Sequence, residues 1–97
     1  MYDVQLTPQA AKDTKLLEQN GLKPKALKLL SIMRKNPYQN PPPYEKLMGL
    51  KDTYSRRINK QHRIVYQALP NLAQKKDEDG NLYQGIVKII RMWTHYE

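Results

Sequence analysis

"TYSRRINKQHRIVYQAL", Thr53 to Leu69, decides the fold. Its two halves, "TYSRRIN" and "HRIVYQAL", are rich in the β-branched and aromatic residues that strands favour. The polar residues near Lys60-Gln61 read as a short turn between them, which predicts an antiparallel hairpin. Side chains on a strand alternate between its two faces. Arg63, Val65 and Gln67 therefore share one face, and His62, Ile64 and Tyr66 the other. Arg56 goes with Ile58, and Arg57 with Asn59. A hairpin that only builds a core has no need of Arg56, Arg57, Lys60, His62 and Arg63 together. The basic residues cluster beside apolar ones near strand ends, which suggests a charged rim on the sheet.

Outward from the hairpin, "GIVKIIRMWTHY" reads as the third and most apolar strand, with Val87, Ile89, Arg91, Trp93 and His95 on one face. Between the last two strands "PNLAQKKDEDGNLYQ" is a polar excursion with Asp79-Gly80 as its tip. Upstream, "YDVQLTP" reads as a short first strand. Thr7 is then an N-cap, Pro8 the first helical residue and Asn20-Gly21 the C-cap pair of a first helix. A second helix opens at Pro24 and stops at Pro37, and its Ala26, Leu29, Leu30 and Met33 have the spacing of a buried stripe. Lys25, Lys28, Arg34 and Lys35 occupy other positions on it, either as a solvated face or as one facing RNA. "NPYQNPPPYEKLMG" is a stiff, donor-poor connector, either a plain linker or a device that holds Glu45 in place. The order is β-α-α-β-β-β. It predicts an α+β fold with two N-terminal helices packed on an antiparallel-rich sheet, residues 1–97 forming one domain.

The chain has 97 residues, enough for one small core. It has no cysteine, so disulfides and thiolate chemistry are excluded. The start "MYDVQLTPQA" lacks the pattern of a signal peptide, and no apolar run approaches the ~18 to 20 residues that cross a bilayer. The expected location is the cytoplasm, with no membrane partner. A net charge of +8 suits an anionic partner, and the clustering of the arginines favours nucleic acid.

Metal-dependent nuclease chemistry needs converging carboxylates or histidines. The acidic cluster Asp77, Glu78 and Asp79 sits at the expected tip of the excursion and reads as solvated turn charge, so no metal and no cofactor are expected. Metal-free RNA cleavage needs a base for the ribose 2′-OH, cations for the phosphorane and an acid for the leaving oxygen. Glu45, Arg56, Arg57, Arg63, His95, Tyr96 and Trp93 are residues of the right types. Composition permits this set and does not select it. His62 reads as a partly buried structural residue, with a second acid as the alternative. Trp93 reads as core, with base stacking as the alternative.

"YEKLMG", followed by "YSRRINKQHRIVYQ" and the terminal "RMWTHYE", resembles the YoeB/Txe branch of the RelE superfamily of bacterial toxins. The likeness is strongest over Tyr44 to Tyr66 and Ile86 to Glu97. It implies a RelE-like fold and a ribosome-dependent mRNA endonuclease that cuts in the A site and inhibits translation. It also implies an acidic cognate antitoxin of the YefM/Axe kind. Ribosome and mRNA are the other implied partners, with operator DNA bound only as the toxin–antitoxin complex. Carried over residue by residue, Glu45 is the general base, Arg63 the transition-state cation and His95 the general acid, with Tyr96 positioning or stacking on substrate. Arg56, Arg57, Lys60 and Arg91 are the expected RNA-binding residues, with antitoxin carboxylates as the alternative ligands of Arg56 and Arg57. The alternative is a non-catalytic RelE-fold module that binds nucleic acid or antitoxin. The interval from Glu45 to Ser55 is one residue shorter than the resemblance leads one to expect, and the Pro70 to Gln84 excursion is longer.

Overall fold

The computed structural model describes residues 1–93. Seven elements follow in order: β1 (Tyr2–Leu6), α1 (Pro8–Gln19), α2 (Lys23–Lys35), β2 (Glu45–Lys46), β3 (Thr53–Arg57), β4 (Arg63–Pro70) and β5 (Gly85–Arg91). The sheet order is β1-β5-β4-β3-β2. β1 runs parallel to β5, and every other pairing is antiparallel. The expected α+β class and element order hold, with one addition. Glu45–Lys46, expected in a stiff Pro-rich connector, pairs with Ser55 and Tyr54 as a fifth strand at the sheet edge.

Thr7 starts α1 and also ties it to the sheet. Its Oγ1 accepts from the Ala10 amide at 3.1 Å and donates to the Ile90 carbonyl at 2.9 Å. Its own amide donates to the Ile89 carbonyl at 3.0 Å. The β4–β5 register shifts here: Val65 faces Arg91 while Tyr66 faces Ile89, so Ile90 is an extra, bulged residue. The Thr7 hydroxyl thus meets the carbonyl that the bulge takes out of the ladder. The strict alternation expected through Val87, Ile89, Arg91 and Trp93 ends at this bulge. Val87 and Ile89 are buried, but beyond them Met92 enters the core and Arg91 turns to α1.

The core lies between the helices and one sheet face. Ala10, Leu17, Ala26, Leu29 and Met33 come from the helices, and Ile64, Tyr66, Val87 and Ile89 from the sheet. Three of the four expected stripe residues of α2 are buried, and Leu30 packs against the cluster half-buried. Gly85 is required where β1 meets β5. A Cβ there would lie 2.7 Å from the Leu69 carbonyl oxygen and 2.8 Å from the Tyr2 ring. The excursion after β4 carries the tight turn read from sequence, with Asp77 Oδ1 accepting from the Asp79 and Asn81 amides at 2.9 Å each. Lys75 anchors the excursion to Asp3 of β1 at 2.7 Å.

Candidate active site

Register places the site. Glu45 lies opposite Ser55, and Ser55 opposite Val65. Two pairs along, Arg57 lies opposite Arg63. Paired residues project to the same side, so Glu45, Ser55, Arg57 and Arg63 share the sheet face turned away from the core residues Ile64 and Tyr66. They line a cleft of about 110 Å³ closed on one side by Pro42, Pro43 and Tyr44. Arg63 Nη1 lies 3.5 Å from Glu45 Oε2. Glu45's side chain is 67% exposed, so the pair adds at most ~1 kcal/mol to stability. The Ser55 hydroxyl is buried against this cleft with no hydrogen-bond partner among the described residues. Sequence reasoning missed it as a site residue, although its place beside the two arginines is the available signal.

The cleft continues into a wider groove. Pro42 and Arg57 line both, and Lys25, Lys28, Leu29, Ile32, Gln39 and Pro41 complete the second. Lys60 is exposed in the turn between β3 and β4. That turn is held by Asn59 Oδ1, which accepts from the Gln61 and His62 amides at 2.8 Å each.

One expected RNA ligand is corrected. Arg56 is 1% exposed and lies on the core side, because alternation sends it opposite to Arg57. Its guanidinium donates to the carbonyls of Pro37 at 2.9 Å, Gln39 at 2.8 Å and Pro42 at 2.5 Å. It also lies 5.0 Å from the Tyr44 ring centre and 5.9 Å from that of Tyr66. No surface of this group is left for a phosphate. Arg91 lies opposite Val65, and α1 meets part of its charge. Its Nε donates to Asp13 Oδ2 at 2.9 Å, across the bulge and against α1.

His62 behaves as the structural residue it was read to be. Its ring stacks on Trp93, with centres 4.0 Å apart and planes 16° apart, and its Nδ1 bonds to the Trp93 carbonyl. Trp93 packs partly buried against the core. His95 and Tyr96 lie outside the described residues. Among the described residues no three His, Asp or Glu side chains converge as a metal site. No helix among them is long and apolar enough to cross a membrane.

Solved structures similar to this chain are bacterial toxins. A YoeB/ParE toxin from Agrobacterium tumefaciens superposes with a TM-score of 0.74 at 20% identity, over 97% of this chain and 99% of the other. The YoeB dimer from Staphylococcus aureus gives a TM-score of 0.68 at 30% identity, over 98% of each chain. A YoeB–YefM complex from the same organism gives 0.68 and 30% over 99% of each. The first similarity speaks to the fold, and the other two extend it to the sequence. No protein-family model matches the chain, and no curated protein does.

Proposed function

We propose a reaction for this protein from one premise: the chain belongs to the YoeB branch of the RelE-like toxins. The reaction is cleavage of mRNA in the ribosomal A site by general acid–base catalysis, with no metal in the chemical step. Glu45 takes the proton from the ribose 2′-OH. The 2′ oxygen attacks phosphorus, forming a 2′,3′-cyclic phosphate as the P–O5′ bond breaks. Arg63 neutralises charge on the phosphorane, and His95 protonates the leaving 5′ oxygen. Tyr96 positions the substrate. Arg57 and Lys60 bind the RNA backbone.

The observation that supports this most is the meeting of Glu45 and Arg63. They come from different strands and converge at 3.5 Å in a cleft rimmed by a second arginine. A base beside a permanent cation is what the attacking and equatorial oxygens of this reaction need. The protein works in the cytoplasm and is held inactive by an acidic antitoxin of the YefM kind. The toxin–antitoxin complex, not the free toxin, binds operator DNA.

Induced expression with growth measurement and mRNA-end mapping tests the reading. Wild-type protein should arrest growth and leave cuts within codons of translated messages. Glu45→Gln, Arg63→Met and His95→Gln should each lose ~10²- to 10⁴-fold in cleavage rate on purified ribosomes. Arg63→Lys should recover only part, because Lys lacks the two-pronged grip on phosphate. Full toxicity of a folded Glu45→Gln protein removes Glu45 from the reaction.

A further inference from the structure

We infer that Arg56, buried and out of reach of substrate, is the positioning residue that sets Glu45 in the cleft. The inference rests on the catalytic reading of Glu45 given above.

The segment from Pro37 to Pro43 has a donor problem. Residues 37, 41, 42 and 43 are prolines, which carry an acceptor carbonyl but no N–H. Such a segment cannot fix itself by backbone pairing, and carbonyls turned inward need donors from elsewhere. Arg56 supplies them. One guanidinium gathers the carbonyls of Pro37, Gln39 and Pro42, drawing the two ends of the segment to one point. The Tyr66 hydroxyl adds a second donor to the Pro37 carbonyl at 2.8 Å.

The grip lies close to Glu45. The last carbonyl held, that of Pro42, is separated from Glu45 by Pro43 and Tyr44 alone. The Tyr44 ring packs on the same guanidinium and meets Tyr54 edge-on, with ring centres 5.8 Å apart. Beyond this, β2 consists of Glu45 and Lys46 only, too short an edge strand to hold its own place. Tyr44 immediately precedes Glu45, so fixing its ring on Arg56 fixes where the backbone brings Glu45 to the cleft.

The arrangement is costly for a merely structural role. A guanidinium out of water loses hydration, and no carboxylate pairs with Arg56 among the described residues. Its Nε remains without a partner among them. An apolar side chain of similar volume fills such a place without that penalty. What it lacks is the ability to hold three separate carbonyls at once.

The test compares Arg56→Met and Arg56→Lys with wild type in single-turnover cleavage of mRNA on purified ribosomes, alongside amide NMR spectra of the free full-length proteins. Displacing a reacting group by about 1 Å costs up to ~10²-fold. Arg56→Met should therefore lower the cleavage rate at saturating ribosomes by roughly 10- to 100-fold. The half-saturating ribosome concentration should stay unchanged, since Arg56 touches no substrate. Arg56→Lys should recover part of the rate. Glu45→Gln combined with Arg56→Met should be no slower than Glu45→Gln alone, because the arginine acts through the glutamate. Tyr44, Glu45 and Lys46 amides should shift and broaden while those of Val4 and Val87, on the far strands, stay in place.

A wild-type rate in folded Arg56→Met overturns the inference. So does a loss that multiplies with that of Glu45→Gln, or an unaltered Glu45 amide. Where Arg56→Met fails to fold, Arg56→Lys is judged by the same criteria. A wild-type rate in Glu45→Gln refutes the catalytic reading instead, and the amide spectra then decide the positioning of Glu45 by themselves.

Discussion

Asp13→Ala should damage this protein more than the loss of any exposed carboxylate. Asp13 is fully buried in α1 and its carboxylate accepts three hydrogen bonds. Arg91 Nε donates to Oδ2 at 2.9 Å, the Met92 amide to Oδ2 at 3.0 Å and Gln9 Nε2 to Oδ1 at 3.1 Å. Truncation leaves the Met92 N–H buried and unmet, and deprives Arg91 of its counter-charge. Breaking a buried pair by removing one partner costs ~3–5 kcal/mol. Arg91's side chain is 36% exposed and regains some hydration, so the lower end, about 3 kcal/mol, is expected. Against the ~5–15 kcal/mol of a small domain that is a large share. Asp13→Asn keeps an acceptor for the Met92 amide but loses the charge, and should cost about half as much, on the order of 1.5 kcal/mol.

Urea unfolding followed by circular dichroism measures both variants, with equal m-values required for comparison. Function gives a second readout. The contacts lie at Arg91 and Met92, immediately before the residues that lead to His95 and Tyr96. Cleavage by Asp13→Asn should accordingly fall under conditions where more than nine-tenths of the protein is folded. A loss below about 1 kcal/mol in Asp13→Ala, in the range of an exposed ion pair, refutes the reasoning.

Alkaline pH should weaken the fold through its tyrosines. Burial, followed by the neighbouring Tyr54, pushes the Tyr38 hydroxyl up to about 12, and burial raises Tyr66 against the lowering effect of Arg56. A hydroxyl whose folded value lies above its unfolded value of ~10 contributes stability in full below pH ~10 and loses it as pH rises through the folded value. Absorbance titration near 295 nm should show late ionisation, coupled to unfolding, in the part of the signal that Tyr38→Phe and Tyr66→Phe remove, and ordinary ionisation of both with the fold intact contradicts the reasoning. Arg57→Gln should leave the protein as stable as wild type or up to about 1 kcal/mol more stable, since it removes one of two like charges placed opposite each other, while weakening ribosome binding and lowering its salt dependence. Unchanged binding at every salt concentration removes Arg57 from the RNA surface.

The parts legible in the sequence are those governed by local chemistry. Thr7-Pro8 and Asn20-Gly21 bound α1 because caps act within a few residues, and the α2 stripe repeats with the helical period. The β3–β4 hairpin follows from alternation and a polar turn. β2 was not legible, since two residues among prolines become a strand only because the edge of β3 lies beside them. Asp13 gives no local sign of its role, as its partners Arg91 and Met92 stand at the other end of the chain. Alternation correctly parts Arg56 from Arg57, but which of the two faces is buried depends on how the strands pack. The bulge at Ile90 is equally non-local, and Arg91 just beyond it is engaged by Asp13.

The two consecutive arginines can be told apart by how their charge is met. Arg56 is surrounded by carbonyl dipoles and tyrosine faces, so its positive charge is compensated inside the protein. Arg57 faces Arg63 across the β3–β4 pair, an arrangement that costs stability by about 0.2–1 kcal/mol between strands. One carboxylate, that of Glu45, is in ion-pair range of Arg63 at 3.5 Å, and among the described residues none lies so close to Arg57. Two guanidiniums and one carboxylate around a cleft leave an excess positive charge on a small rigid surface. A sheet selected only to fold gains nothing from that excess. A bound phosphate removes it, and the proton passed to Glu45 during attack on phosphorus would raise it further at the moment negative charge builds on the phosphorane. In the proposed reaction that electrostatic strain would be relieved most in the transition state, which is where binding energy accelerates a reaction.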